Sequence, residues 1–165
     1  RLCGTGGPTH RATGRRAAEF AKPAKTLRVL LAEDNAVNQK LIVRVLAKEG
    51  VDCHVAHNGQ EAATQAGKTA YDAILMDVQM PVMDGLEATQ RIRSAGGELA
   101  AIPIIGLTAN ALAGDRERCL DAGMDRFLSK PVNTQQLMAL LREVTGGENM
   151  FACSPHPPVI PVPNR

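Results

Sequence analysis

The chain has 165 residues, a hydrophobic content of 44% and a formal net charge of +2, which suffices for one domain with flanking tails. Aromatic residues make up only 2% and tryptophan is absent, so the stacking surface that single-stranded nucleic acid needs is missing and nucleic-acid binding is disfavoured. No apolar run approaches the about 20 residues of a membrane-spanning helix, and we expect no membrane contact by this segment.

Positive charge is concentrated at the start of the chain. Residues 1–26 carry six Lys and Arg side chains against one acid, whereas residues 27–145 carry twelve basic and fifteen acidic side chains, a net charge of about −3. The leading segment lacks apolar periodicity, so we predict a flexible basic linker or an added leader over residues 1–26. The four cysteines show no close pairing, which favours a cytoplasmic location, whether or not a parent protein is tethered to a membrane.

From residue 27 onward, short aliphatic runs alternate with amphipathic stretches, a pattern typical of a parallel sheet wrapped by helices. The first predicted strand covers residues 27–32 and is almost entirely apolar, as a strand buried on both faces should be. Asn35 is placed to cap a first helix that ends at Gly50. A short second strand over residues 53–56 and a small Ala-rich helix follow.

Three further strands are predicted in the second part of the chain, each followed by a helix: residues 72–76, 102–107 and 127–129. Asn133 is placed to cap the last helix. The prediction is an α/β fold, a single flavodoxin-like (βα)5 domain with a doubly wound five-stranded parallel sheet over residues 27–145. Residues 146–165 are rich in Pro without periodicity and predict a flexible tail.

Charged and hydroxyl side chains follow four of the five predicted strands. In chain order they are Glu33, Asp34, Asp77, Thr108 and Lys130. Ligands of open parallel sheets bind beyond the carboxyl ends of the strands, so we expect these side chains to share one edge. Carboxylates gathered there repel one another unless a hard cation and an ammonium share the site. The sequence therefore predicts a magnesium-dependent acidic pocket.

Four segments of the sequence resemble the receiver domain of two-component response regulators, and most of all the receivers of hybrid sensor histidine kinases. They are LLAEDN, ILMDVQMPVMDGLEATQRIR, IPIIGLTAN and AGMDRFLSKP, and they occur in this order over about residues 27–145. The resemblance implies a signalling module of a phosphorelay rather than an enzyme in its own right. Magnesium-dependent self-phosphorylation and dephosphorylation would be its only chemistry.

The resemblance also implies a role for each strand-end residue. Asp77 would be the phosphoacceptor, taking a phosphoryl group from a phosphohistidine, and Thr108 and Lys130 would each contact a phosphoryl oxygen. The magnesium ion, or manganese in its place, would be held by Glu33, Asp34, Asp77 and the backbone carbonyl of Gln79.

Further implied roles concern switching, lifetime and partners. Phe127 stands where the family has an aromatic residue that turns inward when the threonine moves, although core packing explains it equally well. The side chains of Gln79 and Asn110 would tune hydrolysis of the acyl phosphate. The implied partners are the phosphohistidine domain of a histidine kinase and a histidine phosphotransfer protein, and the candidate docking surface consists of Asn35, Val37, Asn38 and Leu41.

Two other functions share features with this prediction, one the Asp nucleophile with magnesium and the other the architecture. An aspartyl-nucleophile magnesium phosphatase would need a second Asp two residues beyond the nucleophile, where this chain has Gln79. A flavodoxin-like flavin-binding module would need a loop rich in Ser, Thr and Gly after the first strand, where the acids Glu33 and Asp34 would repel a phosphate. Both are disfavoured and stay as alternatives.

Overall fold

A computed structural model describes residues 26–109 and 113–146 of the chain. Its five strands are β1 (Arg28–Ala32), β2 (Asp52–Ala56), β3 (Ala73–Asp77), β4 (Ile104–Thr108) and β5 (Arg126–Ser129). All neighbouring pairs are parallel and the strand order is β2-β1-β3-β4-β5. The order reverses at β1 and β3, so the predicted doubly wound five-stranded sheet is confirmed.

Within the described ranges, six helices accompany the sheet: α1 (Ala36–Lys48), α2 (Gly59–Lys68), α3 (Gly85–Ser94), α4 (Gly97–Ala101), α5 (Ala113–Asp121) and α6 (Thr134–Thr145). The short helix α4 was not predicted. It follows Gly96, whose φ of +73° turns the chain into the helix without a side-chain cap. Because the end of α4 occupies Ile102 and the next residue is Pro103, strand β4 begins two residues later than the sequence predicts.

Side-chain caps start the helices directly after the strand ends. Asn35 Oδ1 accepts hydrogen bonds from the backbone N–H groups of Val37 at 2.9 Å and Asn38 at 3.3 Å, and the Asn133 side chain accepts two backbone N–H groups at the start of α6. Each cap satisfies donors that the first helical turn leaves free. The predicted caps are confirmed, and the loop that leads from β1 into α1 is short and fixed.

The core lies in two layers, one on each face of the sheet, as alternation along a strand requires. Leu31 and Leu75 face the layer that α1 and α6 cover, and Leu30 and Ile74 face the layer that α2, α3 and α5 cover. The central strands β3 and β4 are buried along their whole length. A rigid frame therefore carries the loops at the carboxyl ends of the strands.

Two segments named in the sequence prediction fall outside this description. The predicted leader and the predicted tail lie, but for Thr26 and Gly146, beyond the described residues. Among the helices of the described ranges, none is long and apolar enough to span a bilayer.

Candidate functional site

Three carboxylates converge at the carboxyl edge of the sheet. Glu33 and Asp34 follow β1 and Asp77 ends β3, and one carboxylate oxygen from each lies within 4.8 Å of the others. Glu33 has no exposed surface and Asp77 is 3% exposed, whereas Asp34 is exposed. The two strands are neighbours at the point where the strand order reverses, which is where open sheets of this kind bind ligands.

An ammonium group lies inside this cluster. Lys130, which follows β5, places its Nζ 2.6 Å from Asp77 Oδ2 and 2.8 Å from Glu33 Oε2. The Lys130 backbone N–H donates to the carbonyl oxygen of Thr108 at 2.7 Å, and the peptide bond to Pro131 is cis. Its backbone therefore continues the pairing of β5 with β4 while its side chain reaches past β4 to β3.

The carboxylate and the backbone carbonyl of Glu33 both have partners in the protein. Its Oε1 accepts hydrogen bonds from the Asn35 backbone N–H at 3.1 Å and from Asn38 Nδ2 at 3.2 Å, while Oε2 faces Lys130. The Gln39 side-chain amide donates to the Glu33 carbonyl oxygen at 2.6 Å and lies 3.0 Å from His57 Nδ1. Both carboxylate oxygens of Glu33 thus already have protein partners.

Burial and charge set the titration of the central pair. Burial raises the pKa of Asp77 above its ordinary value, and the neighbouring charge of Glu33 adds to this, while hydrogen bonds from Lys130 and the Gln79 N–H oppose it. Burial by itself would lower the pKa of Lys130, but its hydrogen bonds to Asp77 and Glu33 outweigh burial and the pKa is raised. The ammonium is therefore firmly charged.

The charges of the cluster do not balance. Within residues 26–109 and 113–146, the ion pairs of these three carboxylates involve Lys130 alone, so ionised carboxylates leave an excess of about two negative charges. Oxygen ligands and a local charge of this size fit a hard divalent cation such as Mg²⁺. The donor set is therefore consistent with the predicted metal.

A cleft of about 440 Å³ opens beside the carboxylates. The residues that line it include Asp34, Gln79, Pro81, Thr108, Asp115 and Arg118. Thr108 ends β4 and is 4% exposed, and the Gln79 backbone N–H donates to Asp77 Oδ1 at 3.1 Å. Asp34, Gln79 and Thr108 thus line the cleft, and Asp34 also belongs to the cluster that contains Glu33, Asp77 and Lys130.

The remaining predicted residues are placed differently. Phe127 is half-buried in β5, and the Arg116 guanidinium lies 5.4 Å from its ring centre, a cation–π contact that the sequence analysis missed. Asn110 lies outside the described residues. Val37 and Leu41 are 74% and 52% exposed.

Two half-buried residues of helix α1 contact Glu33. The Asn38 side chain donates to the Glu33 carboxylate, a contact that the sequence does not predict, and its place on the docking surface stays a prediction. Gln39 was not singled out at all, because its partner is a backbone carbonyl and helical periodicity gives no sign of such a contact. The only indication of these contacts in the sequence is that both residues are polar and follow Glu33 by five and six positions.

Comparison with known proteins places these residues in context. The family model described as "Response regulator receiver domain" matches residues 29–142. Hybrid signal transduction histidine kinase I of Dictyostelium discoideum is 43% identical over 120 residues, which cover 69% of this chain and 7% of that protein. Sensor histidine kinase RcsC of Salmonella typhi is 42% identical over 113 residues, which cover 68% of this chain and 12% of that protein. The chain therefore spans about a tenth of the length of these relatives.

Solved structures are similar over the same region. The receiver domain of sensor histidine kinase PA1611 from Pseudomonas aeruginosa, which holds a magnesium ion in its active site cleft, is 45% identical with a TM-score of 0.69 and covers 73% of this chain and 98% of its own. A structure of the Saccharomyces cerevisiae histidine phosphotransfer protein Ypd1 with the receiver domain of Ssk1 is 32% identical with a TM-score of 0.69 and covers 74% of this chain and 91% of that one.

Proposed function

We propose that this chain, which belongs to the response regulator receiver domain family, accepts a phosphoryl group from a phosphohistidine onto Asp77 within a hybrid histidine kinase phosphorelay. The predicted family is confirmed, and the roles of single residues are our proposal. The observation that carries it is the position of Asp77, a buried carboxylate held between Lys130 Nζ at 2.6 Å and the Gln79 N–H at 3.1 Å. The phosphatase and flavin-binding alternatives are withdrawn because the chain is a receiver.

Magnesium would be held by Asp34, Asp77 and the backbone carbonyl of Gln79, with Glu33 acting through water. Two features support this division. Asp34 is exposed and free to turn toward a cation, whereas both oxygens of Glu33 are engaged by Asn35, Asn38 and Lys130. Mg²⁺ keeps several waters in protein sites, so a water-mediated carboxylate suits it. Manganese prefers similar ligands and would substitute.

Phosphoryl transfer needs alignment and charge neutralisation more than covalent help from the protein. An Asp77 carboxylate oxygen forms the new P–O bond while the P–N bond of the phosphohistidine breaks, and its electron pair returns to the imidazole nitrogen. When bound, magnesium supplies positive charge beside the phosphoryl oxygens. Lys130 is placed to pair with a phosphoryl oxygen and the Thr108 hydroxyl to donate to another. Gln79 holds the second Asp77 oxygen in position.

Partners follow from the same proposal. The donor is the phosphohistidine domain of a histidine kinase and the acceptor is a histidine phosphotransfer protein, as the hybrid kinase relatives and the complex of a similar receiver with Ypd1 support. Val37 and Leu41 stand one turn apart on the outer side of α1, directly after the acidic pair. We propose these two side chains as the apolar part of the docking surface, in a cytoplasmic setting. Phe127 keeps its proposed switch role.

The proposal is tested with a small phosphodonor. The protein is incubated with Mg²⁺ and acetyl phosphate, and intact-mass measurement and peptide mapping follow. We expect one added phosphoryl group on Asp77, absent from Asp77→Asn and absent in EDTA. Labelling that persists in Asp77→Asn, or that is indifferent to EDTA, would contradict the proposal.

A further inference from the structure

The loop between β3 and α3 contains a strained turn at Val82. Its φ is +70° and its side chain is 84% exposed, and the Met83 N–H donates to the Pro81 carbonyl oxygen at 2.8 Å across it. A three-residue turn with this φ is rare and strained, and a β-branched residue is a poor choice for it. Such a conformation persists only where its surroundings hold it.

The residue that contacts this turn belongs to helix α2, which precedes β3 in the chain. Gly59, the first residue of α2, donates its backbone N–H to the Met83 carbonyl oxygen at 3.0 Å. A Cβ at position 59 would lie 2.5 Å from that oxygen, 2.9 Å from the Asp84 carbonyl oxygen and 2.9 Å from Ala88 Cβ. Only glycine therefore lets α2 approach the loop closely enough for this hydrogen bond.

The same loop contributes Gln79, Pro81 and Asp84 to the lining of the cleft. Its two ends are joined by the Gly85 N–H, which donates to the Val78 carbonyl oxygen at 3.1 Å, and a side chain at Gly85 would collide with the Asp77 carbonyl oxygen. Between these ends lies Gln79, whose N–H donates to Asp77 Oδ1. Only Met80, Pro81 and Val82 separate Met83 from Gln79, so we expect a displacement of Met83 to reach Gln79.

We propose that Gly59 is a positioning residue of the metal site. Its N–H and its lack of a side chain hold the turn at Val82, and the turn in turn fixes the Gln79 carbonyl that binds Mg²⁺. The inference rests on the proposed function, since it assumes that the Gln79 carbonyl is a ligand. It assigns a role in the site to α2, a helix that contributes no side chain to the cleft among the described residues.

The test compares two glycines of one helix. Gly59→Ala is predicted to weaken Mg²⁺ affinity about 10- to 100-fold, as loss of a group that orients a ligand does. Gly67→Ala is the matched control, because a Cβ there meets nothing within 4 Å, and it leaves the affinity unchanged. Affinities are measured by calorimetry on the metal-free protein, so the readout is independent of phosphorylation.

A second variant separates positioning from simple packing of α2. Glycine adopts positive φ without strain, so Val82→Gly restores part of the lost Mg²⁺ affinity when added to Gly59→Ala. If Gly59 served only to pack α2 against Ala88, a change at Val82 would restore nothing. Wild-type affinity in Gly59→Ala, or equal affinities in the single and double variants, would overturn the proposal.

A measurement on the unaltered protein covers the case in which Gly59→Ala does not fold. Because coupling is reciprocal, Mg²⁺ must slow amide hydrogen exchange at Gly59 as well as at Met83 and Gly85. Exchange at Gly59 that is indifferent to Mg²⁺, while Gly85 responds, would refute the inference. Failure of the function itself is seen separately, as absence of phosphorylation on Asp77 in the wild-type protein.

Discussion

Lys130 Nζ lies 2.6 Å from Asp77 Oδ2, although 53 residues separate the two in the chain and β4 lies between their strands. The same ammonium lies 2.8 Å from Glu33, so one cation stabilises two buried carboxylates at once. The stability of the metal-free protein and the chemistry proposed for it are therefore expected to depend on the same group.

Replacing Lys130 by Met should destabilise the metal-free protein by up to about 3 kcal/mol, because it leaves two buried carboxylates without their cation. Added Mg²⁺ should recover part of the loss. The measurement is urea unfolding with EDTA and with Mg²⁺. Lys68→Met, an exposed change on α2, is the control and should shift the unfolding free energy by less than about 0.5 kcal/mol. Equal shifts in the two variants would refute this role of Lys130.

Asp77→Asn should stabilise the metal-free protein by about 0.5–2 kcal/mol while abolishing phosphorylation, the trade of stability against function expected at such sites. The amide removes a buried negative charge that Glu33 repels. Thermal unfolding in EDTA measures the gain. The control is Asp52→Asn, whose partner Arg28 is exposed, and we expect a change within about 1 kcal/mol. A lower melting temperature for Asp77→Asn would count against the repulsion argument.

The metal-free protein should lose stability as pH rises through the titration of Asp77. Burial raises the pKa of this carboxyl above 3.8, so the native state keeps a proton that the unfolded chain gives up. The stabilisation is complete below the unfolded pKa and is lost as pH rises through the folded pKa. Unfolding free energies in EDTA, from about pH 4 to about pH 7, should fall relative to Asp77→Asn. A difference that stays constant with pH would contradict the sign.

Arg93 should matter more to stability than its neighbour Arg91 on the same helix. Its guanidinium donates to the carbonyl oxygens of Ala100, Ile102 and Gly123 and to Asp125 Oδ2, all between 2.7 and 2.8 Å. We expect Arg93→Lys to cost about 2–3 kcal/mol, because lysine cannot reproduce this fork. Arg91→Lys, in an exposed pair with Glu87, should cost less than about 0.5 kcal/mol. Urea unfolding of both variants tests the contrast.

Much of the fold and the cleft could be predicted because the position of a residue at the end of a parallel strand determines the edge of the sheet at which it lies. A buried aliphatic run followed by Asp77 or Lys130 says where that side chain will be, since the carboxyl ends of parallel strands meet at one edge. The helix caps at Asn35 and Asn133 could be predicted for a similar reason, because the capping contact is local.

Contacts to the backbone could not be predicted in the same way. Arg93 donates to three carbonyl oxygens and the Gly59 N–H donates to one. Because every residue has a backbone carbonyl, the sequence does not indicate which carbonyl groups accept these hydrogen bonds. The positive φ of Val82 was equally hidden, since valine disfavours it and tertiary contacts impose it. The short helix α4 depends on the turn at Gly96, which periodicity over five residues cannot reveal.

The first turn of α1 has two working sides. On its inner side, Asn35 and Asn38 donate hydrogen bonds to the buried carboxylate of Glu33. On its outer side, the Val37 side chain is largely exposed. A partner protein that binds to Val37 would contact the same helical turn that positions Glu33 beside the proposed Mg²⁺ site. We therefore expect docking and cation uptake to be thermodynamically linked, each strengthening or weakening the other by the same factor.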